Sequence, residues 1–123
     1  MNVLDSSGWL EYFSDGPNAN TFEAVLLETD QLVIPTIILY EVSKKIILEA
    51  GESEANQAIA LMMQGHVVPL DENLALLASR ISVMHKLPMA DSIILATAIQ
   101  FNATLWTQDA DFEGLPHVKY FPK

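Results

Sequence analysis

The sequence predicts an α/β fold: a three-layer α/β/α sandwich around a central parallel sheet of about five strands. Two observations carry this. Short apolar runs recur at residues 2–4, 32–34, 66–70, 104–107 and 117–121, most of them ended by Asp or Pro. Between the first four lie stretches with helical spacing of apolar residues, far too long for hairpin turns, which implies crossover connections and a sheet covered on both faces. Right-handed crossovers then leave few topologies.

Each element has its own signal. Residues 2–4 form a first strand, and Asp5, Ser6 and Ser7 offer helix caps before residues 8–13. Asp15, Gly16, Pro17 and Asn18 make a turn by composition. Phe22, Val25 and Leu26 have helical spacing within residues 21–30. A second strand closes at Pro35, and a helix runs from Thr36 to a C-cap at Gly51. Residues 53–64 are a further helix with Ser53 as its cap, followed by a third strand over 66–70. Asp71 caps the helix over residues 72–86, and Pro88 suits the first turn of the next. That last helix leads into strand 104–107, and residues 117–121 complete the sheet at its edge. No repeat, low-complexity segment or linker interrupts residues 1–123, so a single domain is expected.

Half the residues are hydrophobic, which argues against disorder. The absence of cysteine excludes disulfides and thiolate metal sites and fits a reducing cytoplasm. Asp5 so near the start speaks against a signal peptide, and polar residues break every apolar run short of a membrane span. The net charge is −10, from sixteen acidic and six basic residues. Taken alone, that opposes a nucleic-acid binder acting through a basic surface.

The acids nevertheless fall in a pattern. Asp5 follows the first strand and Asp109 the fourth, so both stand at carboxyl ends of strands, where open α/β sheets bind ligands. Asp91 is the only charged residue between Leu87 and Gln108, with Ile94, Leu95 and Ala98 on its helical stripe, so it faces the core side. Glu41 lies in a helix start that is apolar on nearly every side, and Lys44 and Lys45 are its only cations in helical range. Each acid has an ordinary role open to it. Asp5 can cap a helix, Asp109 and Asp111 can hold Asx turns, and Asp91 can favour a helix amino end. Gathered at one sheet edge, however, they would repel one another unless a cation sat among them. An oxygen-only set suits Mg²⁺ or Mn²⁺.

Four segments carry a family resemblance: LDSS at residues 4–7, YEVSKK at 40–45, ADSIILATA at 90–98 and TQDADF at 107–112. In this order and spacing, across essentially the whole chain, the sequence resembles a PIN-domain ribonuclease, and more closely the compact toxins of VapC-type toxin–antitoxin pairs. The resemblance implies that Asp5, Glu41, Asp91 and Asp109 form the acidic cluster, with Asp111 a further participant and Ser6 and Thr107 at the small hydroxyl positions. It also implies RNA hydrolysis with Mg²⁺ or Mn²⁺, a homodimer, and a cognate antitoxin that blocks the site. Asp5 and Asp91 are then the direct ligands. Glu41 either binds the ion or positions the attacking water, and Asp109 acts directly or through water. Trp9, Tyr12, Phe13 and Phe22 either line a groove for an antitoxin helix or serve as core.

Two rival classes are weighed against this. A phosphoacceptor receiver module would need an Asp where Ile34 and Pro35 stand and a Lys where Gln108 and Asp109 stand. A non-catalytic PIN-like binding module would normally lack one or more of the four acids, and this chain has all of them.

Overall fold

The computed structural model describes all 123 residues. Strands β1 (Asn2–Leu4), β2 (Leu32–Pro35), β3 (His66–Val68), β4 (Thr104–Thr107) and β5 (Val118–Tyr120) form one sheet in the order β3-β2-β1-β4-β5. Every neighbouring pair is parallel, as predicted. Six helices connect and cover them: α1 (Ser6–Phe13), α2 (Ala19–Leu26), α3 (Thr36–Ala50), α4 (Glu52–Met62), α5 (Glu72–His85) and α6 (Met89–Gln100). The fold is the expected α/β/α arrangement around a parallel five-stranded sheet.

The strand order matters for the site. From β1 the chain steps to β2 and β3 on one side, then crosses back to β4 and β5 on the other. The carboxyl end of β1 therefore lies at the point where connections leave in opposite directions, the place where open α/β sheets bind ligands. The register sets Leu4 beside Trp106, so Asp5 emerges next to Thr107. The Asp5 amide donates to the Trp106 carbonyl at 3.0 Å, which extends the ladder one residue past the strand.

Packing explains the positions of the helices. Helix α6 touches β1, β2 and β4, and its residues Ser92, Ile93, Ile94, Leu95, Ala96, Thr97 and Ala98 are all buried. It has no single apolar stripe. Asp91 stands at the tip not because one stripe ends there but because a helix enclosed on all sides can carry a carboxylate only at its end. The buried hydroxyls are satisfied locally, with Ser92 Oγ donating to the Pro88 carbonyl at 2.8 Å and Thr97 Oγ1 to Ile93 at 2.8 Å. Helix α1 lies tight against β1 because residue 8 is glycine. A Cβ there would stand 2.3 Å from Leu4 Cδ1.

Several boundaries differ from the sequence expectation. The helix expected over 21–30 is Ala19–Leu26, followed by a short 3₁₀ turn at Thr29–Gln31 that turns the chain into β2. Strand β3 stops at Val68, since Pro69 has no N–H for the ladder. Helix α4 begins at Glu52 after Gly51, whose φ of 90° makes it, rather than Ser53, the junction residue. Pro88 precedes the first turn of α6, with extended ψ of 163°, and supplies only its carbonyl. Asp71 does cap α5, accepting from the Leu74 amide at 2.9 Å. Trp9 and Phe22 are fully buried and belong to the core, not to a groove. Tyr12 and Phe13 instead line a hollow of about 410 Å³ with Leu10, Ile46 and Leu61, between α1, α3 and α4.

Candidate metal centre

Asp5 sits at the carboxyl end of β1, only 2 % exposed. Its backbone occupies the N-cap position of α1, yet its side chain makes no capping bond. The carboxylate turns to the sheet instead. Its Oδ2 accepts from Ser7 Oγ at 2.7 Å and Thr107 Oγ1 at 2.9 Å, while Ser6 Oγ reaches Oδ1 only at 3.5 Å. The helix-cap reading of Asp5 therefore fails on geometry. Burial pushes its carboxyl up from the ordinary range, hydrogen bonds from Ser7 and Thr107 partly offset this, and Asp109 adds repulsion. No Lys, Arg or His forms an ion pair with it; the chain's one salt bridge is Lys45–Glu49, 2.9 Å long and exposed.

Glu41 projects from the second turn of α3, which begins where β2 ends. It is half-buried, and its Oε1 is fully buried without a hydrogen-bond partner. Lys44 and Lys45 both leave it unpaired. Burial raises its pKa, Asp5 and Asp109 raise it further, and the nearby Ser6 hydroxyl offsets part of the effect. Asp91 occupies the first turn of α6, with its carboxyl pushed up to about 7 by burial first, then by Asp5, Asp109, Asp111 and Glu41. All four expected acids thus act on one another electrostatically across the same sheet edge.

Asp109 holds the turn after β4. Its Oδ1 accepts from the Asp111 amide at 2.9 Å, and its own amide donates to Thr107 Oγ1 at 2.9 Å. The ordinary Asx-turn role is real, but it uses one carboxylate oxygen and leaves the other. Asp91, Asp109 and Asp111 each bring a carboxylate oxygen to within 4.8 Å of the other two. Asp111 thus joins a three-acid grouping that does not include Asp5 or Glu41.

Two further residues were not assigned to the site from the sequence. Ser7, rather than Ser6, makes the short bond to Asp5. Alternation along a helix start gives no means of choosing between adjacent serines. Gln108 is buried and ties the turn before α2 to the end of β4, accepting from Asn18 Nδ2 at 3.0 Å and donating to Glu11 Oε1 at 3.4 Å. Nothing in its sequence context marks it.

The donors fit a hard divalent cation. They are all carboxylate oxygens, one of them a buried orphan, and burial and mutual repulsion raise three of their carboxyls. His66 and His117 stand at the amino ends of β3 and β5, on the opposite edge, and the chain has no cysteine.

A parallel α/β domain with a carboxylate cluster at its switch point is the class that fold and site define. The chain belongs to the PIN-domain family, whose model matches residues 3–118. No curated protein matches the sequence significantly. Among solved structures, a toxin–antitoxin complex from Klebsiella pneumoniae is similar over 100% of both chains, with 23% identity and a TM-score of 0.83. Mycobacterium tuberculosis VapC20, described as a Sarcin-Ricin loop cleaving toxin, is similar over 99% of this chain and 100% of its own, with 17% identity and a TM-score of 0.80. FitAB bound to a DNA fragment is similar over 99% of this chain and 94% of its own, at 21% identity and a TM-score of 0.74. At these identities the likeness is one of fold.

Proposed function

We propose that this protein is a Mg²⁺- or Mn²⁺-dependent endoribonuclease, the toxin of a toxin–antitoxin pair acting in the cytoplasm as a homodimer. The observation that carries the reading is the set of carboxylates converging on the β1 switch point without a cationic partner, Glu41 Oε1 buried and unbonded among them. A bound divalent ion would neutralise the scissile phosphate and make water a nucleophile near neutral pH. Asp5 and Asp91 would hold it, with Asp109 and Asp111 closing the set. Ser7 and Thr107 fix one Asp5 oxygen and so aim the other. Glu41, approaching from β2's side, serves either as a ligand or by orienting the water that attacks phosphorus.

The similar Klebsiella pneumoniae structure, described as a toxin–antitoxin complex, supports an antitoxin partner. The hollow bearing Tyr12 and Phe13 also carries Glu49 and Glu54, which suits an apolar segment with basic flanks. The test is cleavage of a mixed RNA pool with Mn²⁺ by the parent and by Asp5→Asn and Asp91→Asn. Each substitution keeps shape but removes charge, and a loss of about 10²-fold or more is expected. Asn variants that cut as fast as the parent would sink the assignment.

A further inference from the structure

An acidic centre repels a phosphodiester strand unless cations lie along the strand's approach, and this chain has only six basic residues. Three of them line two hollows that border the carboxylate cluster. One, about 270 Å³, is formed by Tyr40, Glu41, Lys44, Lys45 and Leu48. The other, about 420 Å³, includes Ser7, Asp109, Tyr120 and Lys123. Each hollow therefore combines one candidate ligand with lysine and with a tyrosine.

The sheet order places them on opposite sides of Asp5. Glu41 belongs to the helix that follows β2, and Asp109 to the turn that follows β4; β2 and β4 are the two neighbours of β1. Tyr120 ends β5, one strand further out. From β2 to β5 is three strand spacings, roughly 14 Å. A strand of nucleic acid lying across the carboxyl edge would thus meet lysine and tyrosine, then carboxylates, then tyrosine and lysine. Tyr40, Lys44 and Lys123 are free to serve, and Lys45 is held only in an exposed pair with Glu49. Tyr40 is 59% exposed with Lys44 Nζ 5.8 Å from its ring centroid. Neither Lys44 nor Lys123 is held in an ion pair.

We propose that the two hollows are the ends of a single-stranded RNA path across the carboxylate cluster. Lys44 and Lys45 hold phosphates on one side of the scissile bond and Lys123 on the other, while Tyr40 and Tyr120 stack against unpaired bases. Stacking on both flanks requires bases with open faces, so single strands are preferred to duplexes. The inference rests on the nuclease reading and adds to it the residues that grip the strand on either side of the cluster.

The experiment is steady-state cleavage of a labelled single-stranded RNA pool by the full chain with Mn²⁺, at several salt concentrations. Lys44→Gln with Lys45→Gln should raise KM about 10-fold or more with little change in kcat. It should also flatten the slope of log kcat/KM against log salt by about 1.4, at roughly 0.7 per lost phosphate contact. Lys123→Gln should give about half that flattening. Tyr40→Ala should raise KM and leave the slope alone. Arg80→Gln with Lys86→Asn removes the same charge from α5 and the residue that follows it and should change neither. Unchanged melting temperatures establish that the variants are folded. If the Lys44/Lys45 variant behaves like the Arg80/Lys86 variant, or if the same RNA annealed to its complement is cut equally fast, the path is wrong and the nuclease reading stands. If the parent cuts no RNA, both fall.

Discussion

Asp5 illustrates how a residue with an ordinary role available to it is drawn into another. Its backbone has cap geometry, but its side chain takes hydroxyl bonds from Ser7 and Thr107 instead. Thr107 is the hinge of this small network, donating to Asp5 and accepting from the Asp109 amide. Thr107→Val is close in shape but removes both bonds, leaving the Asp109 amide unpaired and the buried Asp5 Oδ2 with Ser7 alone. It should destabilise by about 1–3 kcal/mol, read by denaturant unfolding. The acids also set a pH dependence. The Asp91 carboxyl is raised from 3.8 to about 7 in the folded, metal-free protein, and Asp5 and Glu41 are raised as well. Between those values the native state binds more protons than the unfolded state, so stability falls as pH rises through that window. Metal-free protein in EDTA should therefore melt at a higher temperature near about pH 5 than near about pH 7.5. A melting temperature that climbs over that range would show that the carboxylates are not under mutual strain.

The elements were legible where local chemistry decided them and less so where packing did. All five strands and the helices around Thr36, Glu72 and Asp91 follow from apolar period and breakers. The limits of β3 and α4 turned on a proline and a positive-φ glycine, whose effects are felt one or two residues away. The full burial of α6 could not be read from one apolar stripe, because enclosure depends on what the other elements bring to it. At the site, acid positions at strand ends were readable. The choice of Ser7 over Ser6, and the burial of Gln108, depend on the angle at which α1 leaves β1. Gly8 sets that angle. Gly8→Ala would drive a methyl into Leu4, costing about 1–3 kcal/mol and displacing α1 from β1. Reduced melting temperature together with weakened cleavage is expected. A variant as stable and active as the parent would mean that the close approach is not needed.

At the scale of the whole molecule, a net charge of −10 opposes self-association unless one face is nearly free of acid. The outer face around α5 offers one, with Leu76, Val83, Met84 and Met89 exposed and Arg80 beside them. Light scattering at tens of micromolar should give a dimer mass, and Leu76→Glu with Val83→Glu should return it to monomer. A monomer mass for the parent removes the dimer from the account.

The central claim is that one edge of the sheet holds unpaired carboxylates because a divalent cation belongs among them. Thermal unfolding near about pH 7.5, with EDTA and then with millimolar Mn²⁺, tests this most directly, using the parent and Asp91→Asn. At about 100 times its dissociation constant the ion should stabilise the parent by roughly 2.7 kcal/mol, a rise on the order of 10 °C. Asp91→Asn, relieved of one repelling charge, should melt above the parent in EDTA and respond little to Mn²⁺. Superimposable parent curves with and without Mn²⁺ would contradict the claim.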